Sequence, residues 1–407
     1  MAVLVTGGAG YIGSHLVKAL VESGYHPIAF DNLSEGHRSA VRGGHIVEGD
    51  LKNFNDLHRV FTNYKIDGVF HLAARCYIEE SVTDPQTYYL NNLLGTLNLL
   101  RAMIEFNCKN IIFSSSCATY GSPEYLPLDE DHPLKPISPY GRSKLYAEEV
   151  MLDYARSYGV VPVILRYFNA AGADAEGEIG EAHRVETHLI PITIKVILGQ
   201  KDSIKVYGTD YDTPDGTCIR DYVHVSDIAS VHIAAYEKHL KKPLILNIGT
   251  GKGNSVLEVI KTVEKITGKK VKTEFTERRA GDPSTLTATV DKAKKELNWE
   301  PMYTDLESIV ETAWRWSKNH PNSYADESKA QKEYFGEIAI KKGFISHEDL
   351  EKCLFIQKEM DKLGTHKLLG MIMLNEGVLS NEQLIEILRY MEEKGHKKHG
   401  KTNRKEV

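Results

Sequence analysis

Residues 1–170 alternate short apolar runs with stretches in which apolar positions recur every three or four residues. The runs "AVLVTG" (2–7), "HPIAFDN" (26–32), "GHIVEGDL" (44–51), "DGVFHLAA" (67–74), "KNIIFSSS" (109–116) and "VVPVILRYFN" (160–169) read as six strands. Helical periodicity follows the first run through "YIGSHLVKALVESG" and returns at 86–106 and 140–158. Strands and helices alternating at this spacing predict a parallel sheet covered by helices on both faces. After Asn169 the pattern is looser, with Gly, Asp and Thr clustered at 208–217. Strand runs at 203–208 and 244–251 and helical runs at 226–239 and 255–267 predict a smaller lobe over 169–322. The expected fold class is therefore α/β, a doubly wound parallel sheet with a smaller α/β lobe.

A polar stretch with a proline, "NHPNSYADESKAQ" (319–331), marks a boundary, with the linker placed at 323–331. Residues 332–394 then form an internal repeat. Gly336, Gly343, Leu350 and Leu354 recur 34 positions later as Gly370, Gly377, Leu384 and Leu388. Each copy reads as helix, Gly turn, helix, with Ser346 and Ser380 as N-cap candidates, so an all-α tandem module is expected. The basic tail at 395–407 has the composition of a disordered segment.

Composition narrows the function. Of 407 residues 42% are hydrophobic and 26% charged, as in ordinary globular proteins. A net charge of −6 gives no general attraction to nucleic acid or to an acidic membrane surface. No apolar run reaches membrane-spanning length, and "MAVLVTGGAG" reads as a strand rather than a signal peptide. Cys76, Cys108, Cys117, Cys218 and Cys353 are scattered without a CxxC pair. That suits reduced thiols in a cytoplasmic protein, and no metal site is expected.

Two stretches carry chemistry. In "VLVTGGAGYIGSH", Gly7, Gly10 and Gly13 lie between a buried-type strand and a helix. Glycines there allow a tight turn and let backbone N–H groups, including those of Tyr11 and Ile12, approach a pyrophosphate at the helix N-terminus. Asp31 ends the second strand, where a carboxylate accepts from an adenosine ribose and repels a 2′-phosphate, favouring NAD over NADP. Asn32 adjoins it, and Asp50 and Leu51, ending the third strand, are candidates for the adenine edge. In "SPYGRSK", Tyr140 and Lys144 stand four apart, on one face of a helix. A cation there lowers the tyrosine pKa and makes it a usable proton acceptor.

The stretches "TGGAGYIGSH", "DNLSEG", "NNLLGTLNLL", "SSSCATYG", "SPYGRSK", "RYFNAAGA" and "GTCIRDYVHVSDIA" together resemble the extended short-chain dehydrogenases and, more narrowly, the UDP-glucose 4-epimerases. The resemblance covers about residues 1–320. It implies a Rossmann domain over about 1–168 that binds NAD, a nucleotide-sugar lobe over 169–322, and a homodimer. It implies C4 inversion of a UDP-sugar by hydride transfer through a 4-keto intermediate. Tyr140 would exchange the 4-hydroxyl proton, Ser116 would bind the same oxygen, and Lys144 would tune Tyr140 and hold the nicotinamide ribose.

Related 4,6-dehydratases carry an acidic pair next to the Ser116 position; Cys117 and Ala118 stand there instead and disfavour elimination. UDP-glucuronate 4-epimerase remains the nearer alternative, and a non-enzymatic nucleotide-sugar scaffold the alternative of another class. The resemblance further implies cofactor contacts at Asn91 and Tyr167. It implies substrate contacts at Asn169, His188, Leu189, Tyr207, Arg220, Tyr222, Arg279, Asp282 and Leu286. Leu286 replaces a bulky tyrosine of some members, which would admit an N-acetyl group and so UDP-GlcNAc. Cys76, beside Arg75, replaces a cofactor lysine of some members, and His188 replaces an asparagine.

The tandem module resembles the N-terminal module of type II secretion and type IV pilus ATPases, some of which bind cyclic di-GMP. Those binders open each half with Arg-Leu-Gly; here Tyr334 and Leu368 hold the arginine positions. Gln357 is kept, but Met391 replaces its counterpart. The module is therefore expected to bind another protein, with cyclic di-GMP the secondary reading.

Overall fold

The computed structural model describes residues 1–279, 282–324, 335–362 and 367–396. Most of the expected linker, Tyr334 and the tail from residue 397 onward lie outside the described residues. The chain divides into two compact units, Met1–Tyr324 and Ala325–Val407.

The first unit is built on a seven-stranded sheet. Its first six strands are β1 (Ala2–Thr6), β2 (His26–Asp31), β3 (His45–Glu48), β4 (Ile66–His71), β5 (Asn110–Ser116) and β6 (Val161–Tyr167). Three lobe strands follow, β7 (Asn169–Ala171), β8 (Ile204–Tyr207) and β9 (Ile219–His224), before β10 (Leu244–Ile248). The sheet runs β10-β6-β5-β4-β1-β2-β3, parallel throughout. Alternate residues of β1 enter two cores. Val3 and Val5 pack with Leu16 and Val17, and Leu4 packs with Leu57 and Leu99. Strands buried on both faces read as continuous apolar runs, as these do. Strand order reverses at β1, between β4 and β2, which opens a crevice at the carboxyl ends of the strands.

Two parts differ from expectation. The run at 244–251, read as part of the smaller lobe, forms the outer strand of the main sheet, with Leu246 opposite Leu165. The helix Val225–Glu237 likewise packs on the main sheet, its Ile228 and Ala235 in one core with Leu16 and Leu20. An apolar run specifies a strand but not which sheet edge receives it. The helix expected over 86–106 contains a widened π turn at Tyr89–Leu94, between Pro85–Tyr88 and Gly95–Glu105.

The smaller lobe adds β11 (Gly253–Ser255), β12 (Thr273–Thr276) and β13 (Thr285–Leu286). Strand β9 pairs with β7, β11 and β13, and β8 pairs with β12. The helices Leu189–Ile197, Val256–Thr267 and Leu306–Asn319 share a core with Val206 and Tyr222.

In the second unit the helices are Phe335–Lys341, His347–Lys362, Leu369–Asn375 and Asn381–His396. The repeat extends to its contacts. Ser346 and Ser380 each close a capping box, with Asp349 and Gln383 respectively. Gly343 and Gly377 both take left-handed φ, +71° and +69°, ending the first helix of each copy. A side chain at Gly336 would strike Leu350, and one at Gly370 would strike Leu384.

Candidate active site

The crevice is a cavity of about 860 Å³. Its floor is the glycine turn after β1. Gly7 has φ +70°, and a Cβ there would lie 2.7 Å from the Ala73 nitrogen. A Cβ on Gly13 would lie 2.0 Å from the Gly7 carbonyl oxygen. Only glycine permits this approach of turn, helix and the β4 loop. Gly10 caps the helix Tyr11–Glu22 with no side-chain hydrogen bond and no acidic residue in the first turn, so its N-terminus is open to an anion.

Asp31 is buried, and its carboxylate accepts from Ala9 N (3.0 Å) and Leu33 N (2.8 Å). Burial raises its pKa, while those hydrogen bonds act in the opposite direction. Asn32 donates to Asp50 at 3.1 Å; Asp50 and Leu51 follow β3 by two and three residues rather than ending it, and both line the cavity. Asn91 sits in the π turn and lines the cavity, as does Tyr167 at the end of β6, whose hydroxyl lies 2.5 Å from His232 Nε2. These residues fit a dinucleotide: an uncapped helix end for its phosphates, a floor with no room for Cβ atoms, and a carboxylate at the second strand.

The helix Pro139–Tyr158 lies along β5 and presents Tyr140, Lys144 and Glu148 at successive turns. Ser138 caps it, its Oγ accepting from Gly141 N at 3.1 Å. Lys144 is buried, and its ammonium donates to the Ser114 carbonyl at 2.6 Å. Burial pulls its pKa down to about 8, against the raising influence of Cys76 and Glu148. Tyr140 is not depressed as the sequence suggested. Burial raises its hydroxyl above the ordinary range, Cys76 adds to this, and a hydrogen bond with Ser116 acts the other way. Burial of the hydroxyl is the largest influence on it, and the Lys144 ammonium is directed to the Ser114 carbonyl.

Glu148 was not singled out from sequence, although its i+4 spacing from Lys144 was visible. It holds Arg166 through two hydrogen bonds of 3.1 and 2.6 Å and accepts from Ser115. Arg166 also donates to Tyr120, which donates to Asn247 on β10. This buried network fixes the helix against β5, β6 and β10. Asn92 was also missed. It bonds Arg75 N and O and donates to Ser143 Oγ at 2.9 Å, joining the β4 loop to the same helix. Arg75 itself is paired with Glu35 and Glu80, and Cys76 is exposed.

On the far wall the structure brings together Asn169, His188, Arg220, Arg279, Asp282 and Leu286. Arg220 is ion-paired with Asp282. Leu189, Tyr207 and Tyr222 do not line the cavity. Leu189 and Tyr222 face the lobe core, and Tyr207 lies beneath Arg279, with 4.1 Å between guanidinium and ring centre. The loop before helix Leu189–Ile197 holds two carboxylates, Glu181 and Glu186, against His183 and His188. Burial pulls the His183 pKa down, but the carboxylates outweigh it and hold it up at about 10.

Sheet order, glycine turn and the Ser116, Tyr140, Lys144 set define a Rossmann-type protein of the short-chain dehydrogenase class. The NAD dependent epimerase/dehydratase family matches residues 3–249, and the chain belongs to that family. Among its relatives, the UDP-glucose 4-epimerase of Halalkalibacterium halodurans is 48% identical over 81% of this chain and 99% of its own. The structure of UDP-glucose 4-epimerase from Brucella ovis in complex with NAD is 49% identical, covering 77% of this chain and 97% of that one, with TM-score 0.75. That of UDP-glucose 4-epimerase from Bifidobacterium longum in complex with NAD+ and UDP is 39% identical, covering 79% and 100%, with TM-score 0.76.

Proposed function

We propose that this protein interconverts UDP-glucose and UDP-galactose by NAD-dependent inversion at C4. The observation that carries the reading is the convergence of Ser116, Tyr140 and Lys144 on one cavity with Arg220, Arg279 and Asp282. The hydrogen on C4 is not acidic, so a base alone cannot invert that carbon. NAD, held at the glycine turn and Asp31, would supply the hydride acceptor and donor that this carbon needs.

Tyr140 takes the 4-hydroxyl proton as the 4-keto sugar forms and gives it back on reduction from the opposite face. Ser116 hydrogen-bonds the same oxygen, and Lys144 lies one helical turn from Tyr140 to favour its phenolate. The glycine turn with Tyr11, Ile12 and Asp31 holds the dinucleotide, flanked by Asn32, Asp50, Leu51, Asn91 and Tyr167. Arg220 and Arg279 suit the sugar-nucleotide diphosphate as fixed cationic forks, and Asp282 the uridine ribose. Asn169 and His188 belong to the same wall. Tyr207 supports Arg279 from below, and Leu189 and Tyr222 shape the wall from behind.

Leucine at 286 leaves room beside the sugar C2 group, which supports UDP-GlcNAc as a further substrate. The family resemblance supports a homodimer, and five free thiols suit a reducing, cytoplasmic setting. Among the described residues no helix is long and apolar enough to cross a membrane. We read the domain limits as catalytic unit to 322, linker 323–331 and helical module 332–394. The exposed Leu354, Phe355, Leu368, Met371, Ile385 and Leu388 support a protein-binding role for that module. Leu368 at an arginine position weighs against cyclic di-GMP.

Purified protein given UDP-galactose, UDP-GlcNAc or UDP-glucuronate in parallel, without added NAD, tests the reading. UDP-glucose forming from UDP-galactose is the expected result. No turnover of UDP-galactose even with NAD supplied overturns it, and turnover of UDP-glucuronate alone transfers the assignment to that sugar.

A further inference from the structure

The loop from Glu181 to His188 places two glutamates and two histidines within eight residues, and one ligand atom from each lies within 4.8 Å of the others. His188 Nδ1 is 2.8 Å from Glu181 Oε1 and 3.1 Å from Glu186 Oε1. His183 Nδ1 is 3.2 Å from Glu181 Oε1 and 3.6 Å from Glu186 Oε2. A tetrahedral zinc ion with bonds of about 2.1 Å spaces its ligand atoms about 3.4 Å apart. The four contacts bracket that value.

Two imidazolium–carboxylate pairs would explain the proximity without a metal. Hydrogen bonding argues against this as a complete account. Glu181 Oε1 is buried 2.8 Å from His188 Nδ1 and 3.2 Å from His183 Nδ1, yet neither it nor His183 Nδ1 is in a hydrogen bond of proper angle, and the Glu181 side chain is only 7% exposed. Buried carboxylate oxygens are ordinarily hydrogen-bonded, so an unsatisfied pair aimed at one point indicates a missing ligand. A second acidic group, Asp174, Glu176 and Glu178, shows the contrast. There Lys18 Nζ lies 2.9, 3.2 and 3.8 Å from the three carboxylates and supplies the cation.

We propose that Glu181, His183, Glu186 and His188 form a closed four-ligand site for a zinc-type divalent cation in the cavity wall. Mixed imidazole and carboxylate donors suit zinc better than calcium or magnesium, which prefer all-oxygen shells. With four protein ligands no position is left for a reacting group, so the role is structural. The cation would tie two sides of the site together. His188 is the N-cap of the helix Leu189–Ile197, and the His183 ring meets those of Tyr11 and Tyr77 at 6.2 and 6.0 Å.

The test uses tag-free, full-length protein with its NAD, stripped of metal by dipicolinate and titrated with Zn²⁺ or Co²⁺. Expected are one zinc per chain by elemental analysis, a raised melting temperature, and the intense visible absorption of tetrahedral cobalt. His183→Ala and Glu186→Gln should each weaken zinc binding by about tenfold or more, whereas Glu176→Gln should not. No binding at about 10 µM free zinc, unchanged binding in both loop variants, or a weak octahedral cobalt spectrum would overturn the proposal. Should the variants fail to fold, the cobalt spectrum of the unaltered protein decides.

Discussion

The two units differ most in what they bury. In the first, Lys144, Glu148, Arg166, Asp221, Asp227 and several histidines lie inside the fold. In the second, every buried side chain among the described residues is apolar or cysteine: Ile338, Ala339, Ile345, Cys353, Ile372, Met373, Leu379 and Ile387. Burying charge costs several kcal/mol per ion before pairing offsets it, roughly. An interior of that kind persists where groups must be held in position for chemistry. The helical repeat carries no such interior. Caps and apolar packing suffice for it, and what it offers is surface.

The comparison is tested first at the proposed reacting group. Tyr140→Phe keeps the packing and removes the proposed proton carrier, so kcat should fall by about 10²–10⁴-fold. NAD recovered from the denatured variant should match the unaltered protein; activity within tenfold of normal would remove Tyr140 from its role. Next comes the network behind it. Glu148→Ala leaves the Arg166 guanidinium buried and unpaired, which should cost about 3–5 kcal/mol in urea unfolding of the first unit. A loss below about 1 kcal/mol, typical of a surface pair, would mean that the network is not holding the helix.

Acid should separate the units further. Burial holds His71 at about 3, His224 at about 3 and His232 at about 4. These groups stay neutral in the fold but take up protons near pH 6.5 once unfolded. The unfolded chain therefore binds more protons between pH 6.5 and about 4, and stability is lost as pH falls through that window. Calorimetry should show the first unit melting about 5–10 °C lower at pH 5 than at pH 7. The smallest effect is expected from removing the second unit. A chain ending at Tyr324 retains each proposed catalytic and sugar-binding residue, so its turnover should change by less than about twofold. An inactive or unfolded truncation would show that the first unit depends on the second.

Much of the site was legible because backbone constraints leave marks in sequence. Gly7 and Gly13 stand where a Cβ would strike backbone, and no other residue type can be substituted there without moving the turn. Tyr140 and Lys144 were legible from helical spacing together with their family context. Glu148 and Arg166 were not, because their pairing joins a helix to a strand eighteen residues on, and a glutamate on a helix ordinarily reads as solvated. The Glu181–His188 group was not legible because only the fold of the loop brings its four side chains within 4.8 Å of one another. The Tyr140 pKa shifts up rather than down, which spacing does not show because it reports proximity and says nothing of desolvation.

Periodicity, glycine placement and the 34-residue repeat by themselves determined the strands of the main sheet, the glycine turn, the Ser-capped helices of the repeat and the division of the chain into dissimilar parts. These are local properties, governed by backbone geometry and by which face of an element is apolar. Tertiary structure alone decided that β10 joins the main sheet, and that Tyr222 turns inward while Arg279 lies over Tyr207. It also decided that burial lowers Lys144 and raises Tyr140. Each of these depends on neighbours distant in the chain, and on the water those neighbours exclude.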